Sequence, residues 1–502
     1  MTCHTDDPDA EKEYLHFVEE IEPPCKLEWQ KLYMKFVDEP FRSHLETERY
    51  GVLDRAIANQ VRLFREENVP LEMEETRLSQ RYQKITGAMT GWFEEKEQTL
   101  QQLSKYLEQP DQSIRRAAWG TITMRRLQDR EPIEDIYDGL VTHRARIAEN
   151  AGFANYRDYA FLHRERFDYT PDDCLRFHET VEMVIVPAAR RIMEQRRKRL
   201  GLDRLRPWDL NVDPEGKPPL RPFQGSEELI KGCHRIFCRM DSELGNRFAY
   251  LREKGLLDLE SRRGKAPGGY QSNLSEVRLP FIFMNAVGID RDVRTLLHES
   301  GHAFHALECR DEPLFFYREP PIEFCEVASM SMELLGARFL DEFYGDEESR
   351  RSYRNLLEGV VLLFPWIATI DAFQHWIYTH EGHTRGERKS SWLDLQSRYG
   401  GIEDWDGYED GLSYLWQKQP HLFIHPFYYV EYGIAQLGAL QIWQSAKRDL
   451  SQTIQRYRSA LSLGGSKPLP VLFESAGIRF DFSPKTTESL MNEVLETLHS
   501  MN

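Results

Sequence analysis

The sequence predicts a mainly α-helical fold with one small β-sheet beside a single helix that carries the chemistry. Three observations predict it. Apolar residues recur at helical spacing along most of the chain. Strand character is confined to two stretches, 268–272 and 279–285. The 502 residues suffice for a large core arranged in two or three lobes.

Taken in order, residues 1–200 read as an N-terminal helical lobe. Leu78, Tyr82, Ile85, Met89 and Phe93 follow one another at helical intervals, and Leu100, Leu103 and Leu107 continue the stripe. Such stripes are core faces. The basic run from Arg190 to Arg199 reads as a solvated helix face. Residues 201–225 hold five prolines (Pro207, Pro214, Pro218, Pro219 and Pro222) among polar turns, a connection. Residues 226–502 form the region that carries the chemistry. In it, Gly268-Gly269-Tyr270-Gln271-Ser272 and Leu279 to Asn285 predict two strands ahead of the next helix. The segment Gly268, Gly269, Tyr270, Asn285 and Ala286 is expected to bind an extended peptide main chain, with glycines permitting close approach. A covered structural hairpin is the competing reading.

Composition excludes several classes. Lys and Arg number 65 against 82 Asp and Glu, a net charge of −17 without the footprint of a nucleic-acid partner. No apolar run is expected to reach the ~20 residues of a membrane span. Met1 to Asp7 lacks a basic and an apolar segment, so no secretory signal is expected. Seven cysteines, an odd count, do not read as a disulfide framework, and Cys233 with Cys238 lacks the spacing of a structural zinc site. Cys325 reads as a small buried hydrophobe. The expected compartment is the cytoplasm.

The chemistry centres on His298-Glu299-Ser300-Gly301-His302. Side chains at i and i+4 project from one helical face, so both imidazoles can meet one metal with Glu299 beside them. This is the H-E-x-x-H arrangement, two histidine ligands for Zn²⁺ and a glutamate general base. Val293, Leu296 and Leu297 before it and Ala303, Phe304 and Leu307 after it form an apolar stripe, uninterrupted by proline from Asp290 through Leu307. A buried helix with two satisfied core histidines is the competing reading. Gly301, costly inside a helix, predicts close approach of another backbone or of substrate. A tetrahedral site needs a third ligand and an open position. Glu326, 24 residues after His302 (326 − 302), is the candidate, since Pro313, Pro320 and Pro321 can turn the chain back into a facing helix. Glu323, Ser329 and Glu333 share its face and could orient the ligands.

With these residues on the page, Val293 to His305 followed by Glu323 to Ser329 resembles the M3 family of zinc oligopeptidases, and within it the oligoendopeptidase F branch. Tyr159 to Thr170, Val186 to Arg191, Leu205 to Leu210, Lys265 to Tyr270, Asp371 to Trp376 and Pro426 to Tyr429 extend the resemblance over about residues 150–440. It implies a zincin-type catalytic domain, helical lobes around a deep substrate channel, one zinc ion at its floor, and cleavage of short peptides. The family also brings histidine and tyrosines of its C-terminal helical region to the bound carbonyl. The matching segment here runs from His421 to Tyr432, with Pro426 expected at the first position of a helix. On that pattern Tyr432 is the first candidate for the oxyanion, followed by His425 and Tyr429. His380-Glu381-Gly382-His383 spaces its histidines only three apart and is expected to bind nothing, as is His305. A related zinc carboxypeptidase and a non-catalytic peptide-binding relative remain the alternatives. Oligomeric state is open.

Overall fold

Helices start where a short polar side chain meets the orphan amides of a first turn. Asp7, Asp111, Asn155, Thr170, Asp241, Thr384, Asp449 and Ser483 each accept such a bond. The computed structural model describes residues 2–501, and helix accounts for 71% of the chain. The expected mainly helical class is therefore the observed one.

Three helices form the centre. The motif helix, Asp290–Cys309, packs on the helix Ile322–Gly336, which packs in turn on Tyr429–Arg448. The middle helix is buried nearly all round, with Phe324, Val327, Ala328, Met332 and Leu335 inside. Gly301 sets its approach to the motif helix. A Cβ there would lie 2.5 Å from Ser329 Cα and 2.7 Å from the Ala328 carbonyl oxygen, so only glycine fits. Of the two reasons predicted for Gly301, close approach of another backbone is the one observed.

Among the described residues five strands form two sheets. β1 (Thr90–Phe93) and β2 (Lys96–Thr99) make an antiparallel hairpin. β3 (Leu257–Glu260), β4 (Tyr270–Leu274) and β5 (Leu279–Ala286) make a sheet of order β3-β5-β4, with β3 parallel and β4 antiparallel to β5. β5 leads into the motif helix. The Asp292 carboxylate accepts from the amides of Val287, Gly288 and Ile289 at 2.7, 2.8 and 3.0 Å, pinning strand to helix.

Several expectations need correction. The apolar stripe through Leu78 leaves its helix after Gly87, and Met89 and Phe93 belong to the turn and hairpin beyond. Glu94 and Glu95, at φ 49° and 61°, make a tight turn that helical spacing does not announce. β3 is a third strand beside the two predicted, so β5 is central and has neighbours on both sides. The free edge nearest the motif helix belongs to β4. Among the described residues one helix, Asp346–Thr379, is long and apolar enough to cross a membrane, contrary to the expectation from the sequence. Its apolar window is 67% buried inside the fold, where it serves as core. Within 201–225 the only helix is the turn Pro207–Asp209, held by a buried Arg115–Asp209 ion pair at 2.6 Å. One apolar cluster runs from Leu63 to Leu498 and takes in Leu220 and Phe223 of that stretch.

Candidate metal centre

The motif helix buries Val293, Leu296, Leu297 and Phe304 on one side and turns His298 and His302 toward Glu326 on the next helix. His298 Nε2 lies 3.3 Å and His302 Nε2 3.6 Å from Glu326 Oε2. One donor atom from each of the three residues falls within 4.8 Å of the others. The histidine side chains keep 18% and 14% exposure while Glu326 keeps 2%, so solvent reaches the centre from the imidazole side.

Two of the three donors, His298 and Glu326, are oriented by hydrogen bonds. His298 Nδ1 is 2.8 Å from Glu333 Oε1; with Nδ1 as donor, the Nε2 lone pair faces the centre. Glu326 accepts from Tyr428 Oη at 2.5 Å and from Ser329 Oγ at 3.0 Å. Ser329 and Glu333 thus do the orienting work expected of their face. Glu323 instead accepts from Tyr169 Oη at 2.6 Å.

Electrostatics indicate a site short of a cation. Burial pushes Glu326 up, yet the His302 and His298 imidazoles and the Tyr428 hydroxyl outweigh it and hold the carboxylate down to about 2. Burial lowers His302 to about 4 despite Glu326. His298 moves the other way: burial opposes its proton, but hydrogen bonds donated to the Glu326 and Glu333 carboxylates raise it well above the ordinary range. Glu299 is pushed up to about 7 by burial, and its Oε2 has no hydrogen-bond partner. Three carboxylates around two imidazoles, one of them with an orphaned oxygen, fit a bound dication with an open position.

The strand segment meets this centre at one point. A Cβ on Gly269 would lie 3.3 Å from Glu299 Oε1, so the backbone there passes against the candidate base, and Gly268 takes φ 99° to allow it. The other residues predicted to bind substrate are engaged within the fold. Tyr270 stacks on Phe283 at 4.6 Å and hydrogen-bonds Thr2 Oγ1. Asn285 Nδ2 donates to the carbonyls of Ala266 and Gly268, both at 2.9 Å. Ala286 pairs with Glu260 of β3, and its carbonyl accepts from Ser261.

The aromatic segment departs from expectation. Pro426 does not open the helix. Phe427 adopts φ 64°, its amide donates to Gln374 Oε1 at 2.6 Å, and the helix begins at Tyr429. That places Tyr428 rather than Tyr429 on Glu326. Tyr432 Oη lies 3.1 Å from His421 Nε2. Trp366 Nε1 donates to Gln419 Oε1 at 3.2 Å, which fixes that amide and aims its Nε2 at His421 Nδ1, 2.6 Å away. His421 Nδ1 therefore accepts, Nε2–H donates to Tyr432 Oη, and the Tyr432 proton is left free to donate elsewhere. His425 is exposed and its ring lies 6.0 Å from that of Tyr428. Tyr429 lies beside Tyr432, ring centres 5.2 Å apart. The sequence places Tyr428 four residues before Tyr432 on one helical face and His421 at the start of the same segment, but the choice of Tyr432, His425 and Tyr429 left both of them out. His380 and His383 bond backbone carbonyls at the exposed end of Asp346–Thr379, and His305 is buried against Phe324, so none of the three joins the centre.

The sequence profile of peptidase family M3 matches residues 105–492. The chain belongs to peptidase family M3. Among M3-type relatives, it is 27% identical over 326 residues to oligopeptidase PepF of Bacillus subtilis (strain 168), covering 63% of this chain and 47% of that protein. It is 25% identical over 310 residues to an oligoendopeptidase F homolog of Lactococcus lactis subsp. lactis (strain IL1403), covering 57% and 48%. The match thus spans about half the length of these curated relatives. The structure of Pz peptidase A with an inhibitor superposes with a TM-score of 0.95 at 30% identity, covering 99% of this chain and 88% of that one.

Proposed function

We propose that this M3 chain is a zinc-dependent oligoendopeptidase that hydrolyses internal bonds of short peptides. One observation carries the reading: a two-histidine, one-carboxylate donor set stands beside a buried glutamate oxygen that lacks a partner. His298, His302 and Glu326 would hold the zinc. When bound, zinc acidifies water and polarises the scissile carbonyl.

The remaining steps belong to the side chains. Glu299 accepts the proton of the attacking water and returns it to the leaving amine nitrogen. Burial, which pushes its carboxyl up to about 7 in the metal-free protein, favours its taking up that proton. Tyr432, which accepts from His421 and so keeps its own proton free, donates it to the developing oxyanion, a contribution of about 3 kcal/mol. Tyr428 holds Glu326 in place. Tyr429 packs Tyr432, and His425 stands at the solvent side of the tyrosines. The open edge of β4, reached past Gly268 and Gly269, supplies main-chain groups to an extended peptide. The seven cysteines are free, as suits the cytoplasm.

Internally quenched peptides of graded length, digested with and without chelator and read by mass spectrometry, test this. Internal cuts abolished by chelator are expected. Single C-terminal losses would make the chain a carboxypeptidase, no cuts a binder, and chelator-resistant cuts would remove zinc from the reading.

A further inference from the structure

A second group of metal-binding side chains lies away from the H-E-x-x-H centre. The helix Pro171–Thr180 carries Cys174 and His178 one turn apart, and Asp346–Thr379 carries Asp371 and His375 one turn apart. The two helices pack, and the four side chains face one another. Cys174, Asp371 and His375 bring one donor atom each within 4.8 Å of the others. His178 Nε2 lies 2.8 Å and His375 Nε2 3.3 Å from Asp371 Oδ2.

The surroundings do not explain this cluster. Cys174, His178, Asp371 and His375 are 1%, 3%, 0% and 4% exposed, so water does not satisfy them. Asp371 Oδ1 and both ring nitrogens of His375 have no hydrogen-bond partner. Arg166, whose charge acts on Cys174, is already paired to Glu431 at 2.8 Å. A buried carboxylate of this kind calls for a counter-charge.

We propose that Cys174, Asp371 and His375 bind a divalent transition metal of the zinc class, with His178 holding the Asp371 carboxylate through its Nε2–H. The donors are one sulfur, one oxygen and one nitrogen, a set that suits Zn²⁺ or Co²⁺ and disfavours Mg²⁺ or Ca²⁺. With thiolate and carboxylate both ionised, a dication makes the buried group neutral. Zinc bonds of about 2.0–2.3 Å require the donors to draw together by about 1 Å, a rotamer adjustment. The ion is a brace: His375 also packs on Phe427, whose amide is held by neighbouring Gln374, so the clamp reaches the residue that starts the tyrosine helix. It is independent of the peptidase reading, since neither the residues nor the test depend on turnover.

Metal analysis of the purified full chain should return two zinc equivalents, falling to one in Cys174→Ser and to one in His302→Ala. Exchange with Co²⁺ should give a near-ultraviolet thiolate-to-cobalt band, because the H-E-x-x-H centre contains no sulfur. That band should vanish in Cys174→Ser and persist in His302→Ala. One equivalent in the wild-type protein, or two equivalents without the band, would overturn the proposal. The wild-type band alone decides the matter if Cys174→Ser fails to fold. Loss of one equivalent in His302→Ala with the band retained separates this site from the peptidase centre.

Discussion

Replacing Glu299 by glutamine should make the metal-free protein more stable while removing its activity. Burial raises the Glu299 carboxyl from 4.5 to about 7, and a shift of that size corresponds to about 3 kcal/mol spent on ionising it inside the fold. The sign follows from proton binding. Between the two values the folded state holds a proton that the unfolded state has released, so stability falls as pH rises through this window. The cost is absent below the unfolded value and complete above the folded one. Glutamine has the same shape and no charge, so it carries no such cost. The chelated Glu299→Gln protein should gain up to about 3 kcal/mol near pH 8, with the gain shrinking steadily toward pH 5. Restoring zinc should narrow the difference, because a dication beside the carboxylate offsets its desolvation. Urea unfolding of chelated wild type and variant at the two pH values measures this, and peptide turnover of the zinc-loaded pair should fall by about 10²–10⁴. Equal stability near pH 8, or a gain undiminished near pH 5, would refute the argument that this carboxylate is held in a dry site at a cost.

Further predictions follow from the same contacts. Tyr428→Phe removes the 2.5 Å bond to Glu326 and should weaken zinc about 10–100-fold in chelator competition, as should Glu333→Gln through His298. Tyr432→Phe should lower kcat about 10²–10³-fold, and Trp366→Phe, which frees the Gln419 amide to turn, should lower kcat less with KM nearly unchanged. Gly301→Ala forces a methyl to within 2.5 Å of Ser329 Cα and should cost about 1–3 kcal/mol, read as a lower Tm at unchanged metal ligands.

What was legible in the sequence is what local spacing can encode. His298 and His302 lie one turn apart, so a helix suffices to bring them together, and Glu326 needs only one reversal of the chain to face them. The mainly helical class follows from periodicity for the same reason. The misreadings arise where geometry depends on distant partners or on a single backbone angle. Phe427 at φ 64° turns the chain before the helix, which is why Tyr428 lands on Glu326 and the expected start at Pro426 fails. The side-chain partners of Asn285 and Tyr270, which are Ala266, Gly268 and Thr2, are likewise recognisable only after folding. The Cys174 cluster is the extreme case. Its donors come from two helices 197 residues apart (371 − 174), each a harmless i, i+4 pair in isolation, and a search for C-x-x-C spacing passes over them. The proton arrangement at Tyr432 has the same origin. Trp366, Gln419, His421 and Tyr432 form one line only because Asp346–Thr379 lies against the tyrosine helix, and the orientation of a single amide then decides which hydroxyl is free to donate. The two candidate histidine ligands are thus written in neighbouring turns, whereas the groups that tune them are written in the packing of helices far apart in sequence.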